Sequence, residues 1–405
     1  MVVTPFMRKL FYSFARPLWG MVLNPLLPVT AKGIEKVPRT GGFLLLANHV
    51  TWLDPIWMVY YCNRPVRFMA SDHFFKLPVL GTLLQLVGAF PKAKFTKDKG
   101  AIQTLVNLYQ QGEGVALFPE GERSWDGHTV PAIGGIGKLI KGMGCPVVFV
   151  RLRGGHHLWP RWGHFMRYAP VTLEYYEPYS FPVDWTAEQI TDEVSRRIQV
   201  DPDEHPAPKR AWGRKLAHGL PNYLFACPSC FTLEGLKLSP EGNQVHCAHC
   251  GNGWQVEIST ELRPLTAQTP PLTVRQANLR LMEKFSGLPV QDPERFQQEG
   301  LVLAGGPAEI HTPRSKEPVA KGLPRLYTDR LELVDEEGRQ CWGLPFSELL
   351  TSSVDGGTTH NLRCKQGVYR LVVEDESAVK WNHFLRAQFR AWQEKHGLPP
   401  RQSQT

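Results

Sequence analysis

Two short stretches carry residue types that can do chemistry. In NHVTWLDP, residues 48–55, His49 is followed five places on by Asp54. A neutral imidazole can take a proton from an alcohol, and a carboxylate on its other nitrogen fixes the tautomer and stabilises the cation that forms. The pair alone has a second reading, because Asp54 directly before Pro55 also suits a helix cap. In FPEGERS, residues 118–124, Glu120, Gly121, Glu122 and Arg123 stand together. A guanidinium beside a glycine suits a phosphate: its fork matches two oxygens, and the glycine lets backbone come close. Glu122 also reads as a solvated surface acid. Lys92 and Lys94 in GAFPKAK, residues 88–94, add positive charge after an apolar segment. No serine or cysteine is needed if the substrate brings the hydroxyl. A proton acceptor beside a phosphate clamp implies a phosphorylated alcohol as the nucleophile.

A third constellation is CPSC (Cys227, Cys230) and CAHCG (Cys247, Cys250), with sixteen residues between the two pairs. Two such knuckles around a short hairpin match a structural zinc ribbon, in which four thiolates close a tetrahedron and leave no open position for catalysis. Zinc would supply folding energy that so small a module lacks. His246 and His249 read as bystanders. The segment has no dense basic and aromatic face, so nucleic acid is not expected as a partner. A spacer or protein-contact role is.

These groups need elements to position them. FLLLAN (43–48), GVALFPE (114–120) and CPVVFVRL (145–152) read as strands buried on both faces, and residues 99–111 as a helix between the first two. VTLEYYE and a helix from Thr186 to Gln199 follow, the helix opening on a capping-box spacing. The pattern describes an α/β domain with a mostly parallel sheet. If the strands are parallel, His49 and the Glu120–Arg123 stretch share the carboxyl edge of the sheet, where sites in such folds gather. Residues 200–222 read as a linker, 223–262 as the ribbon and 273–286 as a short helix. AEIHT, RLYTDRLELVD, QCWGLPF, NLRCKQ and GVYRLVVE are short strands, followed by one amphipathic helix over 377–394. They suggest a small β-barrel with a helical plug. The division is thus 1–30, 31–205, 223–262 and 298–395.

The chain has 405 residues, a net charge of +8 and a pI near 9.0, with 42% hydrophobic and 21% charged residues. That balance is globular and favours an anionic partner such as a membrane surface or a phosphorylated substrate. The cysteine usage fits a reducing compartment with a metal site better than a disulfide framework. No cleavable signal peptide is seen, and no stretch reaches the roughly 18 apolar residues of a spanning helix. Residues 5–20 place Met7, Leu10, Phe11, Phe14 and Leu18 at helical spacing, with Arg8, Lys9 and Arg16 off that stripe. Such a helix lies in a lipid interface or covers its own domain's core. His156, His157 and His164 in RGGHHLWPRWGHF lack metal spacing, and that stretch reads as a loop beside the site or the membrane.

The chain resembles the glycerol-phosphate and lysophosphatidic acid acyltransferase family over about residues 30–200. NHVTWLD is similar to that family's first block, NHxSxxD, with Thr51 for serine, and FPEGERS to its third, FPEGxRS. GAFPKAK aligns with the second block, where Lys94 replaces an arginine. CPVVFV resembles the fourth, with Phe149 at a position often held by proline, and KGIEKVPRTGG is similar to the lead-in. The resemblance implies that His49 is the general base on the acceptor hydroxyl, which attacks the thioester of acyl-CoA or acyl carrier protein, and that Asp54 orients His49. It implies that Lys94, Glu120, Gly121 and Arg123 hold the glycerol phosphate. The expected reaction converts 1-acylglycerol-3-phosphate to phosphatidic acid. Another lysophospholipid or an aminolipid as acceptor, or a non-catalytic membrane adaptor on this fold, are the alternatives. The expected location is the cytoplasmic face of a membrane, peripheral or monotopic. GLPRLYTDRLELVDEEGRQCWGLPFSEL, with Trp381 on the closing helix, resembles pleckstrin-homology-like and GRAM-type barrels, which implies a lipid headgroup or protein as ligand.

Overall fold

A computed structural model of the chain describes residues 10, 13–14, 17, 20–21, 26–75, 77–92, 98–204, 210–286, 293–313, 315, 317–355 and 357–398. Contacts divide it into two compact units, one formed by residues up to 161 with 166–213 and the other by 162–165 with 214–403.

The first unit is built on β1 (Val29–Lys32), β2 (Phe43–Ala47), β3 (Val66–Ser71), β4 (Phe90–Lys92), β5 (Gly114–Leu117), β6 (Val147–Arg153) and β7 (Val171–Tyr175). They form one sheet in the order β1-β7-β6-β2-β5-β3-β4. Every neighbouring pair is parallel except β6 with β7. β2 lies in the middle, and all five of its residues are fully buried. Its alternate side chains feed two cores. Phe43, Leu45 and Ala47 join Trp57, Met58 and Val150 on one face, and Leu44 and Leu46 join Leu105, Ile140 and Ile190 on the other. A continuous apolar run is therefore what this position demands. The helix Ala187–Ile198 starts on the expected reciprocal cap between Thr186 and Gln189. The helix Lys99–Gln110 is capped by Asp98, which accepts from the Ala101 N–H at 3.0 Å.

Leu46 of β2 stands opposite Leu117 of β5 in parallel register. The chain segments leaving both strands, which carry His49 and FPEGERS, therefore emerge at the same edge.

In the second unit, five antiparallel strands between residues 236 and 273 form the sheet that carries the second cysteine pair. Eight antiparallel strands between residues 301 and 373 form another, and the helix Ala378–Lys395 ends it. Trp381, Phe384, Leu385 and Phe389 of that helix are buried. The expected succession of strands and one plugging helix is observed, but the path of strands is open instead of closed on itself. Gln340–Pro345 and Leu349–Asp355 are neighbours in sequence yet sit at opposite ends of the path. Phe346 between them is buried, so the chain dips into the core where a hairpin would have continued the sheet.

Most of the amphipathic stripe expected in residues 5–20, including Met7, Phe11 and Leu18, lies outside the described residues. Leu10 and Phe14 are helical and exposed, at 48% and 71%. No described helix is long and apolar enough to cross a membrane.

Candidate active site

The loop after β2 is organised around one carboxylate. Asp54 is fully buried. Its Oδ2 accepts from His49 Nδ1 at 2.9 Å, from the Val50 N–H at 2.6 Å and from the Thr51 N–H at 2.9 Å. Its Oδ1 accepts from the Thr51 hydroxyl at 2.6 Å. Asp54 opens the helix Asp54–Tyr61, but its oxygens reach back into the loop and not to that helix's own N–H groups. The helix-cap reading is therefore not the one realised. Thr51 supplies the hydroxyl that serine would have supplied, so the threonine substitution keeps this bond.

A carboxylate only accepts, so His49 donates through Nδ1 and carries a lone pair on Nε2. The imidazole is held flat against Phe118, with ring centroids 3.9 Å apart and planes 15° from parallel. Its side chain retains 17% exposure. Burial holds its proton affinity below the ordinary 6.5. Asp54 pushes it back up, and the charges of Arg123 and Arg161 press it further down. The ring is thus neutral near pH 7 and can accept a proton at Nε2.

FPEGERS wraps behind and beside this histidine. The Ser124 N–H donates to the His49 carbonyl at 2.8 Å. Gly121 sits at φ +77°, in the left-handed region that favours glycine, and its N–H closes a turn onto the Phe118 carbonyl. Glu120 is 1% exposed, and its two oxygens accept from the His49 N–H at 2.6 Å and the Val130 N–H at 2.9 Å. Burial pushes its pKa up to about 8, the Asp54 charge adds to this, and the two N–H bonds oppose it. This placement differs from the phosphate-holding role that the resemblance implies, because Glu120 faces main chain. The Arg123 guanidinium lies over the Trp52 ring, 4.0 Å from its centroid. Glu122 is not a solvated acid: it pairs with Arg161 at 3.2 Å. Lys94 lies outside the described residues.

Two contributors escaped the sequence reading. Asn48, buried at the end of β2, donates to the Leu152 carbonyl at 2.9 Å and accepts from the Leu152 N–H at 2.7 Å. It pins the start of the catalytic-type loop to β6, and its place beside His49 in the NH pair was the available signal. Arg161, in the stretch noted for its histidines, reaches the FPEGERS loop. His156 and His157 are buried, in the short helix Gly155–Leu158. A Cβ placed on Gly155 would lie 3.2 Å from Val50 and 3.3 Å from Thr51, so this helix packs directly against the His49 loop. His164 belongs to the second unit.

The four cysteine sulfurs lie within 4.8 Å of one another. Cys227 and Cys250 are 3.8 Å apart, and Cys230 and Cys247 are 3.6 Å apart. A tetrahedral zinc with bonds of about 2.3 Å requires sulfurs about 3.8 Å apart, so the donor set fits the ion. The Ser229 N–H points at the Cys227 sulfur at 3.4 Å, which would support a thiolate.

Residues 28–153 match the family model described as Acyltransferase. The matched range contains His49, Asp54 and FPEGERS and ends at the close of β6. The chain is 23% identical over 199 residues to the 1-acyl-sn-glycerol-3-phosphate acyltransferase BAT2, chloroplastic, of Brassica napus, covering 48% of this chain and 58% of that one. It is 27% identical over 152 residues to the 1-acyl-sn-glycerol-3-phosphate acyltransferase of Streptococcus pneumoniae, covering 35% of this chain and 54% of that one. The chain thus spans little more than half the length of either relative. Among solved structures, the 1-acyl-sn-glycerophosphate acyltransferase PlsC from Thermotoga maritima is similar at 24% identity and a TM-score of 0.40, covering 47% of this chain and 78% of that one. The family match and the curated relatives support an acyltransferase enzyme.

Proposed function

We propose that the first unit transfers an acyl chain from a thioester, acyl-CoA or acyl carrier protein, to the free hydroxyl of 1-acylglycerol-3-phosphate. The product is phosphatidic acid. The observation that carries this is the His49–Asp54 bond of 2.9 Å, with FPEGERS fastened to the same histidine. His49 Nε2 takes the hydroxyl proton as the acceptor oxygen bonds to the thioester carbonyl carbon. The carbon–sulfur bond then breaks, and the leaving thiolate takes the proton from the imidazolium. Asp54 holds the Nδ1–H tautomer and stabilises the cation. Arg123 meets the acceptor phosphate, with Gly121 and Lys94 as further contacts. Glu120 holds the His49 main chain in place.

His49→Ala tests this reading. Transfer from labelled acyl-CoA across a panel of lyso-acceptors should fall by about 10²–10⁴, the usual worth of a general base. Far-UV circular dichroism should be unchanged. Full activity in the folded variant would refute the role. The acceptor that wild type uses best names the substrate, and it decides between lysophosphatidic acid and another lysophospholipid or an aminolipid.

On the same reading the enzyme works at a membrane surface, since the acceptor and the product are membrane lipids. Val79 and Leu83 on the uncharged helix Pro78–Leu86 are exposed at 75% and 44%, which suits contact with a lipid interface. The four cysteines would hold a structural zinc that stabilises their small sheet. The C-terminal strands and helix would serve as a pleckstrin-homology-like module for a lipid headgroup or a protein.

A further inference from the structure

Arg161 lies 37 residues beyond Ser124 and outside the matched blocks, yet it bonds twice to FPEGERS and lies against the residue that follows it. Its Nη1 donates to the Arg123 carbonyl at 2.6 Å and to Glu122 Oε2 at 3.2 Å. Its guanidinium lies over the Trp125 ring, 4.2 Å from the centroid. The side chain is only 8% exposed. One guanidinium thus grips the main chain of the residue that bears the other. Arg123, for its part, is laid on Trp52, which belongs to the His49 loop. Both positive charges are close enough to His49 to act on its imidazole.

We propose that Arg161 is a positioning residue for the acceptor's phosphate, fixing the Arg123 main chain and the Glu122 carboxylate so that the Arg123 fork meets the anion beside His49. The proposal rests on reading the site as an acyltransferase centre. Its physical basis is that one terminal NH₂ serves the carbonyl and the carboxylate while the flat guanidinium lies on the indole, which holds that nitrogen in place; a lysine ammonium has the donors but no flat face to be held by. A phosphate arriving between these groups finds an arginine whose backbone is already held, so less ordering is left to do on binding.

The test compares Arg161→Lys, which keeps the charge, with Arg161→Met, which keeps the bulk. Both should raise KM for the lysophosphatidic acid acceptor about tenfold while leaving KM for acyl-CoA within about twofold, a loss typical of a charge-assisted contact. Only Arg161→Met should move the acidic limb of kcat/KM to higher pH, because it removes a cation that depresses proton binding at His49. A general structural defect would not sort the two variants in this way. An unchanged acceptor KM in both would overturn the proposal. If wild type transfers to no acceptor at all, the functional reading fails, and NMR titration of His49 with sn-glycerol 3-phosphate decides the positioning claim alone. Binding to wild type that weakens about tenfold in Arg161→Lys supports it. Equal binding in both, or none in wild type, overturns it.

Discussion

Glu120→Gln isolates the most costly group in the site. In the folded chain this carboxyl titrates near 8, against 4.5 for an unhindered glutamate, and the main cause is burial. The unfolded chain gives up its proton first as pH rises, so the unfolded state gains on the folded one. The stability present below pH 4.5 is therefore lost progressively until pH passes 8. At pH 5 the loss is about 1 kcal/mol, and at pH 7.5 about 4 kcal/mol, at about 1.36 kcal/mol for each unit. Glutamine has the same shape and does not titrate. It trades one good bond for a poor one, because its NH₂ must face either the His49 N–H or the Val130 N–H, which costs about 1–3 kcal/mol at every pH. The difference between the two proteins should therefore drift by about 3 kcal/mol between pH 5 and pH 7.5, always in favour of the glutamine variant as pH rises. Urea unfolding of both proteins at a series of pH values, followed by circular dichroism, reads this drift directly. A difference that stays constant from pH 5 to pH 8 would refute the reasoning, since it would mean that Glu120 is ionised in the folded chain.

Asp54→Asn should lower kcat/KM by about a hundredfold or more while the amide oxygen keeps the three donors at Oδ2. Because Asp54 raises proton binding at His49, the acidic limb, already below 6.5 in wild type, should shift to still lower pH, and a shift upward would contradict the assigned pair. For the cysteine cluster, metal analysis of purified protein should find one zinc per chain, and a strong chelator should release it with a red shift from Trp254, buried in the same sheet. Purified protein free of zinc would exclude the metal, and Cys250→Ser protein that keeps a full zinc would exclude this cluster as its site.

Much of the first unit was legible because its information is local. β2 shows as FLLLA because a central parallel strand is covered on both faces, and no other placement tolerates so unbroken an apolar run. The helix cap at Thr186 was legible for the same reason, since both partners lie within one turn. β1, β3 and β4 were not read as strands. They lie toward the margins of the sheet and run to four, six and three residues. Their partners are distant in sequence, so little in their own letters marks them. β7 runs against β6, a reversal no apolar pattern encodes, because side-chain alternation is the same in either direction.

The site divides along the same line. His49, Thr51 and Asp54 fall within six residues, and the spacing that brings Nδ1 to Oδ2 is set by one turn of loop and the first turn of a helix. Such a motif carries its geometry with it. Glu120 belongs to an equally local motif, yet its direction depends on the His49 and Val130 N–H groups, which lie 71 and 10 residues away. Its letters therefore announce a functional carboxylate without saying whether it faces solvent or backbone. Arg161 is the limiting case. An arginine between a proline and a tryptophan has no local signature of a site, and its meaning comes from what β6 and the short helix after it place beside Arg123. The consequence can be tested within this fold. Substitutions at His49, Thr51 and Asp54 should act through the base itself and move kcat, whereas those at Arg161 should act through an arginine held from outside and move the acceptor KM.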